Sequence, residues 1–171
     1  MDFTELSKKR FSVRKFSGKK VESKKLDEIL QMSLIAPTAK NQQPQRIYVL
    51  QSDEALGKLD KLTHCRYGAK TVLLFTYNVD EEWKNPLEEG VHSGVEDVSI
   101  IAAHVMLKAA ELDLDTTWCN MFANSDLEKA FNIPKNEKSV LIMPVGYRDA
   151  GVEPAPLHEQ TKELDTIVRY L

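Results

Sequence analysis

The 171 residues are 42% hydrophobic and 29% charged, an ordinary globular balance in a chain long enough to bury a sizeable core as one domain. A net charge of −3 argues against general affinity for nucleic acid. No apolar run approaches the roughly 20 residues of a membrane-spanning helix, and Cys65 and Cys119 form no Cys-x-x-Cys pair, so no membrane anchorage is expected and a reducing cytoplasm is the expected setting.

Asp2-Phe3-Thr4-Glu5 has the form of a capping box and predicts a short helix ending near Lys9. An extended segment follows from Arg10 to Phe16. Ser23 is placed to cap a second helix carrying Leu26, Ile29, Leu30 and Ser33 on one face, with Pro37 ending it. Arg46–Gln51 reads as a strand, Asp53 as the cap of a helix with Leu56, Leu59 and Leu62, and Thr71–Tyr77 as a central strand apolar on both faces. The acidic stretch Asp80–Glu89 reads as a mobile loop. Val91 to about Leu112 is the longest helix candidate, with Val91, Val95, Val98, Ala102, Met106 and Ala109 in a stripe that Ile101 and Val105 widen. Such a helix is central in its domain or faces a partner subunit. Ser125–Glu128 is a second capping box, and Ser139–Tyr147 a last core strand interrupted by Pro144. Leu164, Ile167, Val168 and Leu171 recur at helical spacing in the tail. That stripe either packs on its own domain or wraps a second copy. The elements describe one α+β domain over residues 1–171.

Side chains at alternate positions of an extended segment point the same way, so Arg10, Ser12 and Arg14 share a face while Phe11 and Val13 anchor the other. Two guanidinium groups flanking a hydroxyl suit a phosphate. Lys8, Lys9, Lys15, Lys19, Lys20, Lys24 and Lys25 crowd the same region as a solvated basic surface. The seven glycines form neither a dinucleotide fingerprint nor a Walker loop, so a bound phosphate falls to basic side chains and helix N-termini. Pro37 and Pro44 bracket a rigid loop presenting Thr38, Asn41, Gln42 and Gln43. The four histidines have no ligand spacing, and no metal is expected.

The order Arg-x-Ser-x-Arg-x-Phe, a helix, Ala-Pro-Thr-x-x-Asn-x-Gln-Pro and a strand resembles the nitroreductase family. The likeness continues through Glu96–Ala103, Met106–Ala110, Thr117-Trp118-Cys119 and Leu141–Tyr147 into the tail. The resemblance implies a central, mostly antiparallel sheet flanked by helices, in an intertwined homodimer with two FMN sites at the subunit interface. Arg10, Ser12 and Arg14 match the grip on the FMN phosphate and ribityl chain. Pro37, Thr38, Ala39 and Asn41 match the segment that the second subunit lays against the flavin. Trp118, Cys119 and Asn120 match the strand end beside the ring, where backbone N–H groups near Cys119 and Asn120 reach the flavin edge. Lys162 is the nearest match to a late basic residue on the phosphate, and the tail from about 154 to 171 wraps the partner. The implied activity is ping-pong reduction of nitroaromatic, quinone or flavin-type acceptors by NADH or NADPH, with the chemistry carried by FMN and no catalytic side chain. A non-catalytic FMN-storing or FMN-sensing dimer of the same fold is the alternative, and reductive dehalogenation and oxygen-dependent flavin cleavage also occur in the superfamily. The chain departs from the family pattern at Gln45, Asp113, Asp115, Arg148 and Thr161.

Overall fold

The structure, a computed structural model, describes residues 2–171. Helix α1 (Phe3–Lys9) carries the expected box: Asp2 accepts from the Glu5 N–H at 2.8 Å and Glu5 accepts back from the Asp2 N–H at 2.9 Å. Helix α2 (Ser23–Ile35) buries Leu26 and Ile29. Its end at Ala36, in extended backbone, follows from Pro37, which disfavours helical dihedrals at the residue before it. Ser23 is not its cap. Glu22 holds that position, and its carboxylate is occupied by the Tyr147 hydroxyl at 2.5 Å and Lys19 Nζ at 3.1 Å.

Those two partners, the hydroxyl first, hold the Glu22 carboxyl down at about 2, against an ordinary 4.5. A depressed folded pKa stabilises the fold above the unfolded value, and this contribution is lost as pH falls from about 4.5 through about 2. Thermal unfolding midpoints of wild type and Glu22→Gln should therefore differ at neutral pH and converge over that window.

Strands β1 (Gln45–Leu50), β2 (Thr71–Asn78), β3 (Asp115–Thr116) and β4 (Glu137–Gly146) form one antiparallel sheet in the order β1-β2-β4-β3. β2 is apolar on both faces because both are covered. Leu73, Phe75 and Tyr77 pack in a core shared with α2 and α4 (Gly94–Glu111), whereas Val72 and Leu74 pack with α3 (Asp53–Leu59) and α5 (Asn124–Ala130). The register slips between Phe75 and Thr76, which face Leu141 and Ser139 and leave Val140 as a bulged extra residue. Val140 and Leu141 consequently join the same core.

Several local expectations are corrected. Pro144 does not interrupt β4. Its carbonyl accepts from the Thr117 N–H at 3.3 Å, so its nitrogen faces that short flank, and the pairing with β2 runs through it opposite Val72. Ser52, rather than Asp53, caps α3 by accepting from the Ala55 N–H. Helix α5 has Ala123 at its cap; Glu128 is drawn off to the Ser139 N–H and hydroxyl at 2.8 and 2.9 Å. Helix α4 starts at Gly94 instead of Val91, since the residues before it pair back onto the acidic stretch. Asn85 N–H donates to the Val91 carbonyl, and Ser93 N–H to that of Trp83. The stretch expected to be mobile is thus closed at its base. Glu82, buried there, accepts from the Gly94 N–H at 3.1 Å and meets His92 Nδ1 at 2.6 Å.

The tail is α-helical only over Leu164–Ile167 (α6), after a 3-10 turn at Pro156–Glu159, so its apolar stripe is not one helix face. Leu164 and Ile167 remain 71% and 65% exposed, and this chain does not cover them. Among the described residues no helix is long and apolar enough to cross a membrane.

Candidate functional site

The Arg10–Phe16 segment is extended because its apolar side chains have a core to enter. Phe11, Val13 and Phe16 are buried, the Val13 N–H donates to the Thr116 carbonyl at 3.2 Å, and the Thr117 hydroxyl donates to the Val13 carbonyl. This pins the segment beside β3 and leaves Arg10 and Ser12 half-buried and Arg14 exposed. The structure separates the three. Ser12 and Arg14 line a cavity of about 300 Å³ with Ala155, Leu157 and His158 of the tail. Arg10 lines a second, of about 290 Å³, with Tyr147 and Arg148, and Phe11 belongs to both linings.

Charge pairing sets these two arginines apart from the cations beside them. Lys9 is bound to Asp113 at 2.5 Å, Lys15 to Asp149 at 2.8 Å, Lys19 to Glu22 and Arg148 to Asp115 at 2.7 Å. Among the described residues neither Arg10 nor Arg14 has a carboxylate partner; Arg14 reaches only the Ser12 carbonyl, at 3.5 Å. Partial burial without a counter-charge lowers the Arg10 pKa through desolvation. These two guanidinium groups are available to an anion.

The loop after α2 makes a 3-10 turn at Ala39–Asn41, with left-handed backbone at Lys40, Asn41 and Gln43 (φ 50°, 56° and 51°). Non-glycine residues there cost roughly 1 kcal/mol or more each, and local bonds hold them. Thr38 Oγ1 accepts from the Gln43 N–H at 3.1 Å, and buried Asp97 accepts from the Ala39 N–H at 2.8 Å and the Ser93 hydroxyl at 2.7 Å. Pro37, Thr38, Ala39 and Asn41 line neither cavity. Asp97 was not among the expected site residues; its only sequence signal is an acidic side chain in the first turn of a long apolar helix. Asp97→Ala leaves two donors without an acceptor, and calorimetry should find the protein about 1–3 kcal/mol less stable.

Trp118, Cys119 and Asn120 continue the line of β3. Cys119 exchanges both backbone hydrogen bonds with Ile142 at 3.0 Å, so its N–H is taken up and unavailable to a ligand. Alternation turns the neighbouring N–H groups of Trp118 and Asn120 away from β4, and among the described residues they have no protein acceptor. The side chains are fixed too: Trp118 Nε1 donates to Asn120 Oδ1 at 2.7 Å, and Asn120 Nδ2 to the carbonyl of bulged Val140 at 2.7 Å. Burial, with Cys65 beside it, pushes the Cys119 thiol up to about 12, which leaves it unreactive. Lys162 is exposed and lines neither cavity. Arg148 and His158, both missed as neighbours of this site, bracket Phe11: the Arg148 guanidinium is 4.4 Å from the ring centroid and the His158 ring 6.0 Å.

The model of the nitroreductase family matches residues 7–67 and 66–147. A crystal structure of a nitroreductase family protein from Clostridium difficile 630 is 35% identical, covers 99% of this chain and 98% of its own, and superposes with a TM-score of 0.92. A Methanothermobacter thermautotrophicus protein provisionally named NADH dehydrogenase/NAD(P)H nitroreductase is 27% identical over 151 residues, 86% of this chain and 78% of that protein. The iodotyrosine deiodinase of Thermotoga neapolitana is 26% identical in an alignment 189 positions long, gaps included, that covers 97% of this chain and 96% of that protein. A provisionally named nitroreductase from Exiguobacterium sibiricum 255-15, solved in complex with FMN, shares the fold at TM-score 0.84 and 19% identity, covering 100% of this chain and 98% of its own.

Proposed function

The chain belongs to the nitroreductase family, and we propose that it is a homodimeric FMN enzyme that uses NADH or NADPH to reduce nitroaromatic, quinone or flavin-type acceptors in a ping-pong cycle. The observation that carries the cofactor assignment is the pair of arginines without carboxylates, on either side of Ser12, beside Lys9, Lys15, Lys19 and Arg148, which are matched. Bound FMN supplies two-electron transfer between nicotinamide and acceptor. The chain's own residues bind and orient. Arg10, Ser12 and Arg14 hold the phosphate and ribityl chain, with one further donor supplied by the tail. The free N–H groups of Trp118 and Asn120, on either side of Cys119, face the ring edge. Pro37, Thr38, Ala39 and Asn41 of a second copy close over the ring, which accounts for a stiff loop that lines neither cavity of its own chain.

The dimer reading rests on two uncovered apolar surfaces. One is the tail from about 154 to 171; the other is a groove of about 420 Å³ whose apolar lining includes Phe3, Leu6, Met32, Ile100 and Leu107. Residues 1–171 then act as one domain whose tail lies on its partner, within the cytoplasm.

Purified protein should be yellow, and NADH or NADPH should bleach it under anaerobic conditions. Addition of a nitroaromatic, a quinone or an iodinated phenol then restores the colour according to acceptor; the phenol is included because one relative is named for deiodination. A colourless protein that gains no flavin spectrum with added FMN overturns the cofactor assignment. Yellow protein bleached by neither donor is the storage or sensing dimer instead.

A further inference from the structure

We infer that His158, rather than Lys162, is the tail's contact to the FMN phosphate, and that it makes FMN retention depend on pH. The inference rests on the FMN reading above. His158 lines the cavity that Ser12 and Arg14 line, whereas Lys162 does not. Its ring is tilted 57° against that of Phe11 at 6.0 Å, and its Nε2 lies 3.3 Å from the Lys8 carbonyl oxygen. With Nε2–H donating to that carbonyl, a neutral ring has only an acceptor at Nδ1. Protonation turns Nδ1 into a charged donor, the form that a phosphate selects.

Arg14 shares the cavity of the ring, Arg148, itself paired with Asp115, lies across Phe11, the ring touches the Lys8 carbonyl, and Glu159 follows it in the chain. A phosphate beside Arg14 selects the protonated ring. Since binding favours the protonated ring, this contribution to FMN affinity falls as the pH rises. The phosphate's own second ionisation near pH 6 acts equally on every variant, so comparing variants isolates the ring.

Dissociation constants for FMN and for riboflavin, which lacks the phosphate, are read from flavin fluorescence with the full chain at about pH 5.5 and about pH 8. His158→Gln should weaken FMN about ten-fold at the lower pH and about two-fold or less at the higher, with riboflavin unaffected. His158→Arg should hold the low-pH affinity at both, and Lys162→Ala should follow wild type. If His158→Gln follows wild type at both pH values while FMN remains bound, or if Lys162→Ala is the variant that loses FMN, His158 is not the contact. A wild-type chain that binds FMN at neither pH removes the cofactor reading itself.

Discussion

Alanine at both Arg10 and Arg14 strips the protein of FMN while leaving its fold and its weak affinity for riboflavin in place. A hydrogen bond from a charged donor contributes about 1.5–3 kcal/mol. Losing two should therefore raise the FMN dissociation constant about 10²- to 10⁴-fold, at roughly 1.4 kcal/mol per factor of ten. The fold is spared because neither guanidinium is tied to a carboxylate, and because the backbone of the segment is held by Thr116 and Thr117 and by the burial of Phe11 and Val13. Ultrafiltration followed by the visible flavin spectrum reads the result. Stoichiometric flavin retained by the double variant would place the phosphate elsewhere. The single variants are informative as well. Arg10 and Arg14 line different cavities, so one phosphate is shared only if the Arg10 side chain crosses the Phe11 ridge, and comparable losses from each single variant are the expected sign of it.

The second large effect is on stability. A Cβ at Gly94 would lie 2.4 Å from two carbons of the Tyr77 ring and 2.5 Å from Glu82 Oε2. Tyr77 is buried between β2 and α4, and Glu82 is held by the Gly94 N–H and His92. Neither can retreat. Alanine is the better helix former by about 1 kcal/mol, but overpacking of a close-packed core costs about 1–3 kcal/mol or more, so the clash prevails. Gly94→Ala should lose up to about 2 kcal/mol net, and for a chain of this size the unfolding midpoint falls about 2–4 °C for each kcal/mol. Gly57, exposed in α3 with nothing within 4 Å of its Cβ position, provides the contrast. There the same substitution should raise the midpoint, by up to about 1 kcal/mol of added stability. Differential scanning calorimetry of the two variants separates helix propensity from packing, and a stabilised Gly94→Ala would contradict the close approach of α4 to β2.

Much of this was legible in the chain because short-range physics decided it. The Asp2 box, the alternation of Phe11 and Val13 against Ser12, and the doubly apolar β2 each depend on residues a few positions apart. What escaped the sequence was settled by partners far along the chain. Glu128 has the right spacing to cap α5 but meets Ser139; Glu22 displaces Ser23 at a helix start yet points at Tyr147. Asp97 looks like one more acid near a helix N-terminus until the loop at Ala39 folds onto it. His158 was only one of four scattered histidines. Its place beside Ser12 depends on the tail turning back across the Arg10–Phe16 segment, a path that no local pattern encodes.

The extra residue at Val140 has a consequence for how this strand can change. On one side of it, side chains that face α2 and α4 fall on one parity of the chain count, and on the other side they fall on the opposite parity. A single deletion there leaves composition and hydropathy almost untouched but exchanges the two faces along one half of β4, and it removes the carbonyl that steadies Asn120. Substitutions in this stretch are therefore graded by size and polarity, whereas changes of length are all-or-none. Among relatives of this chain, β4 should vary freely in its apolar residues and hold its residue count constant.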